Sequence, residues 1–160
     1  MRETPFKQDS ESGKALLDWW TALQKDPGER AELRRCHTLN EAVLTPAYQR
    51  LRIALIKTLQ GNEEGLAAVA GLLAHVKSPQ FQPIARQMAE KKNDKPVVSE
   101  SRFRRLLKAK DQRELFIAMK RVLHLLDGNA DLYTLAQAAY FWNERTRRDW
   151  ANDYYLAALG

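Results

Sequence analysis

The residue types that carry chemistry are scarce in this chain. Cys36 is the single cysteine among 160 residues. No internal disulfide can form, and a reducing compartment is expected. The three histidines, His37, His75 and His124, stand far apart, and none falls in a metal-ligand spacing such as H-E-x-x-H. Cys36 and His37 are neighbours, too close to serve one metal in most geometries. No glycine-rich phosphate loop follows a strand, and no G-x-S-x-G elbow occurs. Acids are scattered or stand where helices start. The expectation is therefore no catalytic residue, no metal site and no cofactor. Long apolar runs are also missing. "GLAAVAGLLAHV" is too short to span a membrane and reads as a core helix. The N-terminal "MRETPFKQDSESGK" has no apolar h-region, so no signal peptide is expected. A soluble, cytoplasmic protein without a membrane partner is the expectation.

What is present is enough for a core. Hydrophobic residues make up 44% and charged residues 29%, the proportions of a globular protein rather than a disordered one. The length suits one domain, or two small helical lobes sharing a core. Lys and Arg number 26 against 20 acids, which favours a polyanionic partner.

The fold class expected is all-α, with no convincing strand alternation. "GKALLDWWTALQ" puts Leu16, Leu17, Trp20 and Leu23 on one helical face. Asp26, Pro27 and Glu29 supply an N-cap, an N1 proline and a capping-box acid for a helix through Arg35. Thr45-Pro46 starts a helix stopped near Gly61. Its Tyr48, Leu51, Leu55 and Leu59 face one way and Ile53 and Ile56 others, which predicts a central helix buried on several sides. Further helices are expected over 63–76 and 82–90. "KKNDKPVV", residues 91–98, is the linker candidate. It divides an N-terminal lobe, 1–92, from a C-terminal lobe, 93–160. The second lobe should hold helices at 100–109 and 112–126, a break at Asp127-Gly128-Asn129, and aromatic-rich helices over 131–158.

The positive charge is concentrated. "SRFRRLLKAKDQRELFIAMKR", residues 101–121, holds eight Lys or Arg and two acids, while the other 139 residues carry 18 of each sign. On the first short helix Phe103, Leu106 and Leu107 share one side and Arg104, Arg105 and Lys108 the other. Asp111 and Glu114 form a capping box for the next helix. There Leu115, Ala118, Met119, Val122, Leu123, Leu125 and Leu126 make the core stripe, and Arg113, Lys120 and His124 line the outer face with Ile117. Plain solvated faces would need no such concentration, so phosphate contacts are expected; base reading needs side chains inserted in a groove. "RAELRR", with Arg30, Arg34 and Arg35, is a smaller basic patch. In "NERTRRDW", Arg145, Arg147 and Arg148 sit among Trp142, Trp150, Tyr154 and Tyr155. Such aromatics stack on unpaired bases or, in the plainer reading, pack in the core.

Several stretches together resemble the small subunit of the type I-E CRISPR surveillance complex, Cascade (the CasB family). They are "LLDWWTAL", "RAELRR", "TPAYQRL", "FQPIARQMA", "VSESRFRRLLKAKDQRELFIAMKRVLHLL" and "LAQAAYFWNERTRRDWANDYY". Leu132 departs from the pattern, because the family often has an aromatic there. The resemblance implies an all-helical, two-lobed, non-catalytic subunit that is present in two copies. Its partners would be the large subunit, the backbone subunits, and guide RNA and target DNA through backbone contacts. It would help to hold the target and displaced strands of the R-loop, while guide pairing reads the sequence. The candidate nucleic-acid-binding residues are Arg34, Arg35, Arg102, Arg104, Arg105, Lys108, Arg113, Lys120 and Arg121.

Two other readings remain. A helix-turn-helix regulator would use residues 102–126, but "KAKD" lacks the usual turn glycine and the second helix commits seven positions to core. A helical adaptor would dock an acidic protein face and touch no nucleic acid.

Overall fold

Nine of the ten helices described start on a side chain that accepts a backbone N–H, and these local signals set the element order. The computed structural model of the chain describes residues 6–59 and 61–160. The caps are Ser10 for α1 (Glu11–Gln24), Asp26 for α2 (Pro27–Arg34), Thr38 for α3 (Leu39–Val43), Thr45 for α4 (Pro46–Leu55) and Asn62 for α5 (Glu63–Leu73). Ser99, Asp111, Asp131 and Asn143 do the same for α7 (Glu100–Leu107), α8 (Gln112–Leu125), α9 (Leu132–Tyr140) and α10 (Glu144–Leu159). Each cap is worth about 0.5–2 kcal/mol. The exception is α6 (Ile84–Ala89), which begins after Pro83 without a side-chain cap. Its Ile84 N–H donates to Thr134 Oγ1 of α9 at 3.1 Å, so its start is fixed by tertiary contact.

The protein is all-α apart from two minimal strand pairs. β1 (Ser78–Pro79) runs parallel to β4 (Asn129–Ala130), in register Ser78 with Asn129. β2 (Lys91–Lys92) and β3 (Lys95–Pro96) form a hairpin. Its two loop residues, Asn93 and Asp94, have φ of 56° and 64°, the left-handed backbone that a two-residue turn requires. The stretch expected as a linker thus takes the form of a hairpin.

The central helix is α5, not α4. Every residue from Gly65 to Leu73 is buried, with α3, α4, α8 and α9 packed around it. Its alanines and glycines let neighbouring helices approach closely. A Cβ on Gly71 would lie 2.6 Å from the Phe116 ring of α8. Helix α4 ends at Leu55, earlier than its apolar residues suggested. Ile53 and Ile56 are 64% and 46% exposed, so α4 is buried on one side only.

Helices from both sides of the hairpin contribute to one cluster of buried residues, from Phe6 to Tyr154. Helix α6 lies against α10, and α5 against α8 and α9. Of the side chains expected on core faces, Leu16, Trp20, Leu23, Tyr48, Leu51, Leu55, Leu115, Met119, Val122, Leu123 and Leu126 are buried, and Leu59 and Ala118 are half-buried. Two assignments need correction. In α1 the second aromatic on the core is Trp19, whose indole N–H donates to the Ala47 carbonyl at 2.9 Å, whereas Leu17 is exposed. In α8 Leu125 is exposed and Phe116 takes a core place. Among the described residues no helix is long and apolar enough to cross a membrane.

Candidate nucleic-acid interface

The cations of residues 101–121 divide between two supports. Helix α7 presents Arg102, Arg104, Arg105 and Lys108 to solvent. The last three border a shallow groove of about 410 Å³ with Glu100 and Ser101. Its other side is anchored to α10. Phe103 is buried against Tyr154, with ring centroids 4.0 Å apart and planes 6° from parallel. The Tyr154 hydroxyl donates to the Val98 carbonyl at 2.7 Å, and the Tyr155 hydroxyl to Glu100 Oε2 at 2.9 Å.

The turn between α7 and α8 is held as firmly. The Ala109 carbonyl accepts from Trp142 Nε1 at 2.8 Å and from Arg147 Nη2 at 2.6 Å. The Arg147 guanidinium also lies over the Trp142 ring. Trp142, Trp150 and Tyr154 are buried and Tyr155 is half-buried. The aromatic-rich end is therefore core packing, and these three buried rings offer no face to unpaired bases. Of its arginines, Arg148 pairs with Glu144 one turn away and Arg145 is exposed.

Helix α8 begins with the expected N-cap. Asp111 accepts from the Glu114 N–H at 3.0 Å, and Glu114 in turn accepts from the Lys110 N–H. Its outer cations are less free than helical periodicity suggests. Arg113 makes a two-point contact with Glu64 of α5, Nε to Oε2 at 3.2 Å and Nη2 to Oε1 at 3.3 Å. Lys120 is half-buried. Its Nζ donates to the Cys36 carbonyl at 2.9 Å and lies 4.5 Å from the centre of the Phe116 ring. Burial pushes its pKa down. Arg121 is exposed.

Lys120 brings α8 to the end of α2, where Arg34 and Arg35 are exposed. The second cationic surface is therefore Arg34, Arg35 and Lys120, with Arg113 farther along beside His37, Asn40 and Ile117. Sequence reasoning missed His75, which lies between α2 and α8. Burial, Arg34, Lys120 and Arg30 together hold its pKa down at about 4. It also missed Phe116, although its position four residues before Lys120 and three before Met119 would have extended the core stripe. Arg34, Arg35, Arg102, Arg104, Arg105, Lys108 and Arg121 form no ion pair among the described residues. Nor do those residues place three or more His, Cys, Asp or Glu together to hold a metal.

The class defined by these features is a small all-helical protein with two rigidly supported cationic faces. The sequence pattern of CRISPR-associated protein Cse2 matches residues 29–155, most of the chain, and the chain belongs to that family, the small-subunit family its sequence resembles. The fold is similar to that of a chain in the crystal structure of E. coli Cascade bound to a PAM-containing dsDNA target (32-nt spacer). The TM-score is 0.73 at 23% identity, over 91% of this chain and 95% of that one. At that identity the likeness shows the fold. No curated protein matches the chain in sequence.

Proposed function

We propose that this chain is a non-catalytic subunit of an RNA-guided CRISPR interference complex that holds target and displaced DNA strands by their phosphates. The observation that carries the reading is the set of exposed cations without acidic partners, Arg102, Arg104 and Arg105 on α7 with Lys108 at its C-cap, Arg34 and Arg35 at the end of α2, and Arg121 on α8. Unpaired cations on a rigid surface suit an evenly charged strand, because binding then releases counterions without breaking internal ion pairs. The contacts need not read sequence, since guide pairing does so. In this reading the partners are target DNA and guide RNA, the large and backbone subunits, and a second copy of the chain. The halves before and after residue 92 act as one block because they share a core.

A helix-turn-helix regulator is disfavoured by the packing of α8. Leu115, Phe116, Met119, Val122 and Leu123 bury one side of that helix. On its outer side Arg113 and Lys120 already have partners within the fold. A recognition helix needs a free row of polar side chains for base edges.

The deciding experiment is R-loop lifetime in a reconstituted complex at two salt concentrations, for wild type and for Arg104, Arg105 and Lys108 all changed to Ala. Shorter lifetimes, with assembly and guide loading unchanged, are expected. Equal lifetimes at both salts would favour the adaptor reading.

A further inference from the structure

A cavity of about 280 Å³ opens between α3 and α8, beside the second cationic surface. One wall is the face of α8 that carries Arg113, Phe116 and Ile117. The other is the turn after α2 and the start of α3, with His37, Leu39 and Asn40. Leu39 and Phe116 are buried and give the cavity an apolar floor, whereas Ile117 is 53% exposed. Both walls are fixed within the fold. Thr38 Oγ1 accepts from the Glu41 N–H at 3.2 Å, and the Glu41 carboxylate accepts from the His37 N–H at 3.0 Å. Lys120 ties the walls together, since its Nζ lies over the Phe116 ring and donates to the carbonyl of Cys36, next to His37. The His37 ring and the Asn40 amide are exposed and make no hydrogen bond among the described residues.

Arg113 adds a flat surface at the rim. Its Nε and Nη2 meet Glu64, a contact that uses the edge of the guanidinium plane and leaves its faces for stacking. The side chain is 65% exposed. The volume falls just below the range of drug-sized pockets, about 300–1,000 Å³, which suits a single ring system. The neighbouring acids are engaged, Glu41 by the His37 N–H and Glu64 by Arg113. Arg113 and Lys120 flank the floor about 10 Å apart along α8, and Arg34 and Arg35 are exposed at the end of α2. An apolar hollow among cations matches a nucleotide, which joins a ring to phosphates. An apolar side chain of a protein would fill the hollow and leave the cations unanswered. We infer that this cavity takes one unpaired base of a nucleic-acid strand, stacked on the Arg113 guanidinium and against Ile117, while the flanking phosphates meet Lys120 and the α2 arginines. A paired base has its edge on its partner and its faces on its neighbours, so a duplex is shut out. Stacking tolerates any base, in keeping with contacts that do not read sequence. The inference rests on the proposed function and deepens it: the second surface selects single strands over duplex, whereas α7 offers charge alone.

The test sets three probes of one length against the full chain at matched salt: an oligothymidylate, the same backbone with abasic sites, and a duplex. Affinity is read by fluorescence anisotropy, and contact by NMR of the Ile117 methyls and the His37 ring. The oligothymidylate should bind about fivefold or more tighter than the abasic strand, which carries the same phosphates. It should also give nuclear Overhauser contacts from thymine protons to Ile117 and His37, which the duplex does not give. Ile117→Ala, a change at an exposed position, should remove most of the preference for bases and leave the salt slope as it is. Equal affinity for thymidylate and abasic strands would overturn the inference and leave the proposed function standing. Strand binding without contact at Ile117 and His37 would do the same, and would give the cavity to a side chain of a partner subunit. The same contacts from duplex would overturn the selection for unpaired bases. No binding of any probe would overturn both readings. The wild-type comparison needs no variant to fold.

Discussion

Phe103 of α7 and Tyr154 of α10 lie ring on ring, 4.0 Å apart and within 6° of parallel, and the Tyr154 hydroxyl closes onto the Val98 carbonyl at 2.7 Å. Two turns of helix would not hold a fixed orientation alone. The stack and the hydrogen bond give α7 a rigid base, so its arginines stand at set positions. Tyr154→Phe keeps the ring and deletes the donor. It should lower unfolding free energy by about 0.5–1.5 kcal/mol, measured by chemical denaturation. Tyr154→Ala should cost about 3–5 kcal/mol.

The α7 cations should act through charge alone. Binding of the isolated protein to mixed-sequence single strands should be weak and indifferent to sequence. With four or five phosphates neutralised, log K should fall with log[salt] at a slope of about −3. Changing Arg104, Arg105 and Lys108 to Ala should flatten that slope, while each change alters stability by less than about 0.5 kcal/mol. Anisotropy titrations at several salt concentrations measure both.

Glu64 restrains Arg113, and both are well exposed. Such a pair contributes about 0.2–1 kcal/mol to stability. Glu64→Gln should therefore leave the melting transition nearly unchanged. It also frees a cation and removes an acid, so nucleic-acid binding should tighten and its salt slope steepen. Unchanged binding would place Arg113 outside the strand path.

Gly71 faces Phe116 with no room for a methyl group, since a Cβ would stand 2.6 Å from the ring. Gly71→Ala gains helix propensity but should cost about 1–3 kcal/mol net through overpacking. Phe116→Leu in the same chain should recover part of that cost, a non-additivity visible in a double-mutant cycle.

His75 should make stability depend on pH. Its pKa is lowered to about 4, mainly by burial, so the unfolded chain binds more protons between that value and the ordinary one near 6.5. The contribution is whole above about pH 6.5 and is lost as pH falls toward 4. With solvent screening allowed for, the loss should be about 1–2 kcal/mol. Without nucleic acid, His75→Gln should remove that part of the pH dependence in denaturation curves.

Helix starts were legible because their signals are local. Asp26, Thr45, Asp111 and the prolines beside two of them mark the positions where helices begin. The core stripe of α8 was legible for the same reason. What escaped depends on partners remote in sequence. Trp19 is buried because its indole finds the Ala47 carbonyl on α4, and no wheel shows that acceptor. Lys120 lies on the outward face by periodicity, yet its ammonium meets a carbonyl 84 residues earlier. Helix α4 looked central because isoleucines surround it, while α5 is central because small side chains admit close neighbours. Periodicity counts apolar residues and says little about how near two helices can come.

The hairpin at Lys91–Pro96 gives the chain an unusual kind of seam. Its loop residues Asn93 and Asp94 are exposed, while α6 on one side grips α10 on the other, and β1 clasps β4 across some fifty residues. The peptide bond between Asn93 and Asp94 is therefore among the least needed for cohesion. A protein nicked there should travel as one particle in size exclusion and part only when denatured. The two pieces, expressed separately, should find each other and rebuild the cationic faces, which would make this position a natural place to split and reassemble the subunit.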